Sequence, residues 1–261
     1  MIDIHNHLLP GIDDGAKTLL EAVEMARIAA SDGVRIIAVS PHYQYGERTN
    51  TLDEVRRRVD QMRELLESEG VPIRLLPGAE VPVSMELVDM IRNRTLPTIG
   101  DNGRWVLLEL PFGQMPPRMP EVVFRMKAAG YDPVLAHPER NSVVQQDPNS
   151  LDEHVPEDTP LQITTHSLTG QFGSAVKRCA LRLLTSGRPV LLASDAHGAR
   201  ERGPALSPAL LVAARAAGQE FARALVEDVP AALLRGEALP APPREQRRRG
   251  FLSSLFSKVR G

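Results

Sequence analysis

Seven short apolar runs, each separated from the next by a stretch with helical periodicity, constrain the fold of this chain more than any other feature. They occupy residues 2–5 (IDIH), 35–42 (RIIAVSPH), 74–81 (RLLPGAEV), 105–110 (WVLLEL), 133–137 (PVLAH), 161–165 (LQITT) and 189–195 (PVLLASD). Near-continuous apolar runs of this length suit parallel strands buried on both faces. Between them Leu19, Val23, Ala26 and Ala30 recur at helix spacing, as do Val55, Val59, Met62 and Leu66, and again Phe172, Val176, Cys179 and Leu183. Asp32-Gly33 and Ser186-Gly187 fall where two of these helices should stop. The pattern predicts a β/α barrel or an open doubly wound sheet, and periodicity alone does not choose between them. At 261 residues, 42% hydrophobic and 25% charged, the chain can bury a core of that size.

Six of the seven runs end in a potential metal ligand. The sequence reads His5-Asn6-His7, Pro41-His42, Gly78-Ala79-Glu80, Leu108-Glu109, Ala136-His137 and Ser194-Asp195-Ala196-His197. In a parallel barrel the C-terminal strand ends meet on one face, where active sites form. A lone His-x-His carries little weight, because alternate residues of any strand face the same side. Carboxylates, however, are rarely buried unless paired or ligating, so repeated placement at strand ends argues for metal. A donor set of imidazole and carboxylate without thiolate suits Zn, Mn or Fe.

These motifs, in this order and at these intervals, resemble the PHP (polymerase and histidinol phosphatase) metallohydrolases. MIDIHNHLLPGIDDG, GAE, LLELP, PVLAHPER and LLASDAH are similar more narrowly to the CpsB/CapC-type bacterial tyrosine phosphatases of capsule and exopolysaccharide loci. The resemblance covers roughly residues 1–235. It implies an α/β fold, a distorted (β/α)7 barrel of the PHP type over residues 1–237; the C-terminal extension over 238–261 departs from the family core. It further implies a cluster of up to three divalent metals, commonly manganese, with zinc, iron or cobalt as alternatives. The implied ligands are His5, His7, Asp14, His42, Glu80, Glu109, His137, Asp195 and His197; Asp14 is preferred to Asp13 because the family's aspartate directly precedes glycine. The implied substrate is phosphotyrosine on a bacterial tyrosine kinase that governs polysaccharide export.

Phosphoryl chemistry agrees with such a site. A phosphate monoester dianion repels hydroxide, and clustered cations both neutralise it and acidify bound water. Bridging carboxylates keep such cations close, and Glu80 is the expected main bridge. Arg140 and Arg202 match the family's phosphate-side arginines, and a planar guanidinium suits two phosphoryl oxygens at once. Cysteine-based phosphatase chemistry is excluded: it needs an arginine six residues after the thiolate, and Thr185 stands there relative to Cys179. Cys179 is expected in the core.

The remaining features yield weaker expectations. His166 is read as supporting the ligands or facing solvent, His154 as a surface residue, and Tyr43 and Tyr45 as loop residues that stack on a substrate ring or cover the site. After residue 238 a Pro/Arg-rich stretch precedes Arg247, Arg248 and Arg249 and the apolar Phe251, Leu252, Leu255, Phe256 and Val259. That pattern allows weak contact with an anionic membrane surface or docking on a second copy of the chain. A net charge of −2 gives no overall attraction for nucleic acid. Without an apolar leader before the first motif, the chain is expected in the cytoplasm, with the inner membrane face as a peripheral location through its C-terminal tail. Rival expectations are a phosphatase for a small ester such as histidinol phosphate, an amidohydrolase barrel, and a non-catalytic regulator of the export complex.

Overall fold

Parallel strands run through the whole fold, and nearly all of them are buried on both faces. The computed structural model describes residues 1–95 and 97–240. The strands are β1 (Ile2–Asp3), β2 (Ile36–Ala38), β3 (Gln44–Tyr45), β4 (Arg48–Thr49), β5 (Arg74–Leu76), β6 (Glu80–Pro82), β7 (Trp105–Glu109), β8 (Asp132–Ala136), β9 (Leu161–Thr164) and β10 (Val190–Ala193). One parallel sheet has the order β1-β2-β5 and a second the order β6-β7-β8-β9-β10, while β3 and β4 form a short antiparallel hairpin. Two isolated parallel bridges, Asn6 with Ala196 and His42 with Glu80, connect the sheets at both sides. The fold is therefore mixed α/β with parallel sheets.

Adjacent residues on the same strand enter different cores, as period-2 alternation requires. Val106, Leu108, Leu135 and Leu192 pack with the helices, whereas Leu107, Val134, Ala136, Leu191 and Ala193 pack with Ile4 and Ala38 on the opposite face. The second core is closed by Val229 and Leu233 and by Ile99 and Trp105.

The helices are α1 (Leu19–Ser31), α2 (Leu52–Ser68), α3 (Leu87–Arg92), α4 (Met119–Ala128), α5 (Ser142–Gln146), α6 (Thr165–Thr169), α7 (Ser174–Leu184), α8 (Ser207–Ala217), α9 (Gln219–Ala224) and α10 (Asp228–Leu234). Thr18 and Thr51 cap α1 and α2 by accepting from the N–H groups of Glu21 and Glu54. On α2 the expected stripe Val55, Val59, Met62 and Leu66 is buried. On α1 the buried stripe is Ala22, Val23, Met25, Ala26 and Ala29, while Leu19 is exposed. The first turn of α1 instead borders a cavity of about 550 Å³ beside Asp14 and His197, lined also by Leu20 and Glu21. Phe172 likewise departs from expectation, lying ahead of α7 rather than on its apolar stripe.

The run at 74–81 is one strand in the sequence and two in the structure. Pro77, Gly78 and Ala79 break it, and a Cβ on Gly78 would sit 2.6 Å from the Val39 carbonyl oxygen. That close approach lets Glu80 enter the second sheet beside His42. The Arg247–Arg249 and Phe251–Val259 segment lies outside the described residues, as does the side chain of Tyr45. No described helix is long and apolar enough to cross a membrane.

Candidate metal centre

The first motif folds back on itself so that its polar groups converge. Beyond β1 the chain stays extended, with His7 N–H donating to the Ala196 carbonyl and Asp195 N–H to the His5 carbonyl. Gly15 then packs against His7 so closely that a Cβ would lie 2.1 Å from the His7 carbonyl oxygen. Only glycine fits there, which explains the glycine that follows the paired aspartates.

His5, His7, Glu80 and Asp195 are almost wholly buried. His5 Nε2 lies 3.2 Å from His7 Nε2. Glu80 Oε2 is 3.3 and 3.5 Å from the same two nitrogens, and Asp195 Oδ1 is 3.4 and 3.6 Å from them. The other ring nitrogen of each histidine is already engaged: His5 Nδ1 with Gln162 Oε1 at 2.8 Å, and His7 Nδ1 with Asp13 Oδ2 at 2.7 Å. Gln162 Oε1 also accepts from His137 N–H at 3.1 Å, so His5 Nδ1 is the donor in that pair. Both Nε2 atoms thus face two carboxylate oxygens that have no hydrogen-bond partner among the described residues. Donor atoms at these separations suit cations, since ligands at about 2.0–2.2 Å from a tetrahedral metal stand roughly 3.3–3.6 Å apart, and they divide between a His5, His7 and Glu80 group and a His5, His137 and Asp195 group. Second partners that orient ligating histidines are the usual companions of such sites.

The other expected residues extend this cluster. Asp14 Oδ1 lies 3.3 Å from His197 Nε2 and 3.5 Å from His42 Nε2, and these atoms group with His7. His42 Nδ1 is 3.1 Å from Glu80 Oε2 and 3.6 Å from Glu109 Oε2. His137 Nε2 meets Glu80 Oε1 at 2.8 Å. All nine expected ligands therefore fall into four overlapping donor groups, with Glu80 in two of them. His137 and Asp195 both adopt positive φ, at 31° and 51°. Strained backbone of this kind persists only where its surroundings over-determine it, and it concentrates at functional sites.

Electrostatics follow from burial and pairing. Burial pushes the Glu80 and Asp195 carboxyls up, but His5 and His137 beside both, with Arg202 beside Asp195, outweigh it and hold both below the usual range. At Glu109 burial and then the Glu80 charge outweigh the lowering effect of His137, His5 and His7 and raise it to about 7.

Arg140 Nη1 and Arg202 Nη2 both donate to Asp195 Oδ2, at 2.8 and 2.6 Å. One Asp195 oxygen thus faces the histidines while the other holds two guanidinium groups. Arg202 Nε is buried without a partner among the described residues. Phe172 stands 5.0 Å from Arg140 and 5.9 Å from Arg202, and 5.9 Å from His166.

Several residues differ from the expectations. Tyr43 is buried in the core. His166 is buried beside Phe172 rather than facing solvent, the other of its two expected placements staying open, and His154 is half-buried with Nδ1 against the Ser150 carbonyl at 2.8 Å. Cys179 is in the core as expected, and burial pushes its thiol up to about 12. Sequence reasoning passed over Asp3, Asn6, Asp13, Gln162 and Ser194. Asp3 accepts from Ser194 Oγ at 2.6 Å and from Asn6 Nδ2 at 3.0 Å, tying the first and last motifs together. A buried charge or amide inside an apolar run was the available signal.

Parallel α/β sheets carrying dense imidazole and carboxylate donors at their strand ends, with arginines alongside, define a protein with a candidate metal centre. The chain belongs to the family described as capsular polysaccharide synthesis, CpsB/CapC, which it matches over residues 1–235. It is 35% identical over 249 residues to the tyrosine-protein phosphatase YwqE of Bacillus subtilis (strain 168), covering 95% of this chain and 98% of that one. It is 24% identical over 235 residues to the tyrosine-protein phosphatase CpsB of Streptococcus pneumoniae, covering 88% and 96%. A solved chain from a study of YwqE and CpsB, described as unique metal-dependent tyrosine phosphatases, superposes with a TM-score of 0.88 at 35% identity, over 94% of this chain and 100% of that one.

Proposed function

We propose that this chain is a metal-dependent protein-tyrosine phosphatase that hydrolyses phosphotyrosine on a bacterial tyrosine kinase and so regulates capsule or exopolysaccharide synthesis or export. One observation carries the proposal: Glu80 Oε2 and Asp195 Oδ1, buried without hydrogen-bond partners among the described residues, face Nε2 of His5 and of His7. Family membership and the phosphatase names of the relatives support the same activity.

His5, His7, Asp14, His42, Glu80, Glu109, His137, Asp195 and His197 would hold up to three divalent ions, manganese foremost, with zinc, iron or cobalt as alternatives. Bound ions of this kind neutralise phosphoryl oxygens and acidify water for nucleophilic attack. Arg140 and Arg202 are the groups we assign to the phosphoryl oxygens. Asp195 already orients both, and the unpartnered Nε–H of Arg202 offers a further donor. The leaving phenolate, with a pKa near ~10 in the free side chain, needs little protonic help.

The finer fold assignment is a distorted (β/α)7 barrel of the PHP type. Its seven positions would be β1, β2, the split pair β5 and β6, and β7 to β10, with the Asn6–Ala196 and His42–Glu80 bridges supporting closure. Residues 1–237 would form the phosphatase unit and 238–261 an extension. We place the protein in the cytoplasm, in keeping with a single unpaired cysteine.

The test is elemental analysis of the purified chain followed by phosphotyrosine-peptide turnover with manganese, with chelator and with vanadate. Two or three ions per chain and manganese-dependent, chelator-sensitive turnover are expected. Full metal occupancy without turnover would reject the proposal in favour of a small phosphate ester.

A further inference from the structure

Beside Arg140 lies an aromatic surface for which hydrolysis alone supplies no use. Phe112, in the loop after β7, is 49% exposed, although large rings are ordinarily buried. Its ring stacks on His137 with a centroid separation of 6.0 Å and lies 4.6 Å from the guanidinium carbon of Arg140.

The loop is held rather than loosely attached. Asn141 Nδ2 donates to the carbonyls of Pro111 and Gln114 at 2.7 and 2.9 Å, while its Oδ1 caps α5. Ser142 N–H donates to the Phe112 carbonyl at 2.7 Å. The residues directly after Arg140 therefore fix the loop that carries Phe112, so ring and guanidinium keep a set relationship.

We propose that Phe112 is a specificity-determining residue whose exposed surface receives the aryl group of a phosphate monoester held by Arg140. The inference rests on the phosphatase activity proposed above. In an aryl phosphate a single oxygen separates ring from phosphorus, so an ester anchored at Arg140 brings its ring to the aromatic surface beside that guanidinium. Offset or edge-to-face pairing of two rings needs a centroid separation of about 4.5–7 Å. An alkyl phosphate has no π-face to contribute and gains little from the same surface.

The experiment compares methylphosphonate and phenylphosphonate binding to the manganese-loaded full chain by calorimetry. The unaltered chain should bind phenylphosphonate about tenfold more tightly. Phe112→Ala should bring the two Kd values within about threefold by weakening phenylphosphonate alone, and Phe112→Tyr should keep the preference. Phe112→Leu, which keeps bulk without a π-face, should lose most of it and serves if the alanine variant folds poorly. Equal affinities in the unaltered chain, an unchanged ratio in Phe112→Ala, or equal losses for both ligands would each overturn the inference. Turnover of a phosphotyrosine peptide by the unaltered chain is measured in parallel. Absent turnover with a Phe112-dependent preference would reject the hydrolytic activity and keep the aryl surface; turnover without that preference would do the reverse.

Discussion

Asp13 Oδ2 lies 2.7 Å from His7 Nδ1 and, in accepting that hydrogen bond, leaves Nε2 directed at Glu80 and Asp195. The same oxygen accepts from His42 N–H at 3.1 Å, so one carboxylate sets two proposed ligands. Asp13 and Asp14 are adjacent in sequence yet do different work: Asp13 orients an imidazole, and Asp14 reaches His197 and His42 itself.

Removing such an orienting partner costs about 10–100-fold in metal affinity in comparable sites. Asp13→Ala is therefore expected to weaken manganese binding by that order, with the fold retained. Metal titration followed by calorimetry, alongside circular dichroism, checks it.

Arg140→Ala and Arg202→Ala are expected to leave metal content intact and to lower kcat/KM for a phosphotyrosine peptide by about 10²–10³-fold, the usual scale for losing one charge-stabilising donor. Lysine should rescue poorly at either position, because a point charge does not reproduce the planar fork. Elemental analysis and steady-state kinetics on the same preparations separate this from simple loss of metal.

Glu109 links metal binding to pH. Burial, followed by repulsion from Glu80, raises its carboxyl from 4.5 to about 7 in the metal-free chain. The folded value exceeds the unfolded one, so its contribution to metal-free stability is present below about 4.5 and lost as pH rises through about 7. A cation needs the carboxylate, so loading at pH 6 should release about one proton more in the unaltered chain than in Glu109→Gln, and at pH 8 almost none. Calorimetry in buffers of different ionisation enthalpy measures that difference.

Cys179→Ser should keep activity within about twofold, at a stability cost of about 1–2 kcal/mol for placing a hydroxyl in the core. The thiol is buried and pushed up to about 12, which leaves almost no thiolate at neutral pH. Alkylating reagents should accordingly modify it only on unfolding, as mass spectrometry would reveal.

Sequence alone determined what depends on residue type and spacing. The seven apolar runs are buried almost throughout, α2 presents the stripe its periodicity requires, and the polar residues at six run ends all reach one cluster. Those features survive without coordinates because strand alternation and helical repeat are local properties of the chain. Tertiary structure alone decided how the donors are oriented and what surrounds them. Gln162 serves His5 across 157 residues, and Asp3 binds Ser194 across 191. The break at Gly78, set by contact with Val39, turns one apparent strand into two and carries Glu80 to His42. Phe112 and Phe172 stand beside Arg140, whereas Tyr43, expected to stack on a substrate ring or cover the site, is drawn into the core. Such outcomes depend on which distant segments pack together, and neither spacing nor composition encodes that packing one residue at a time.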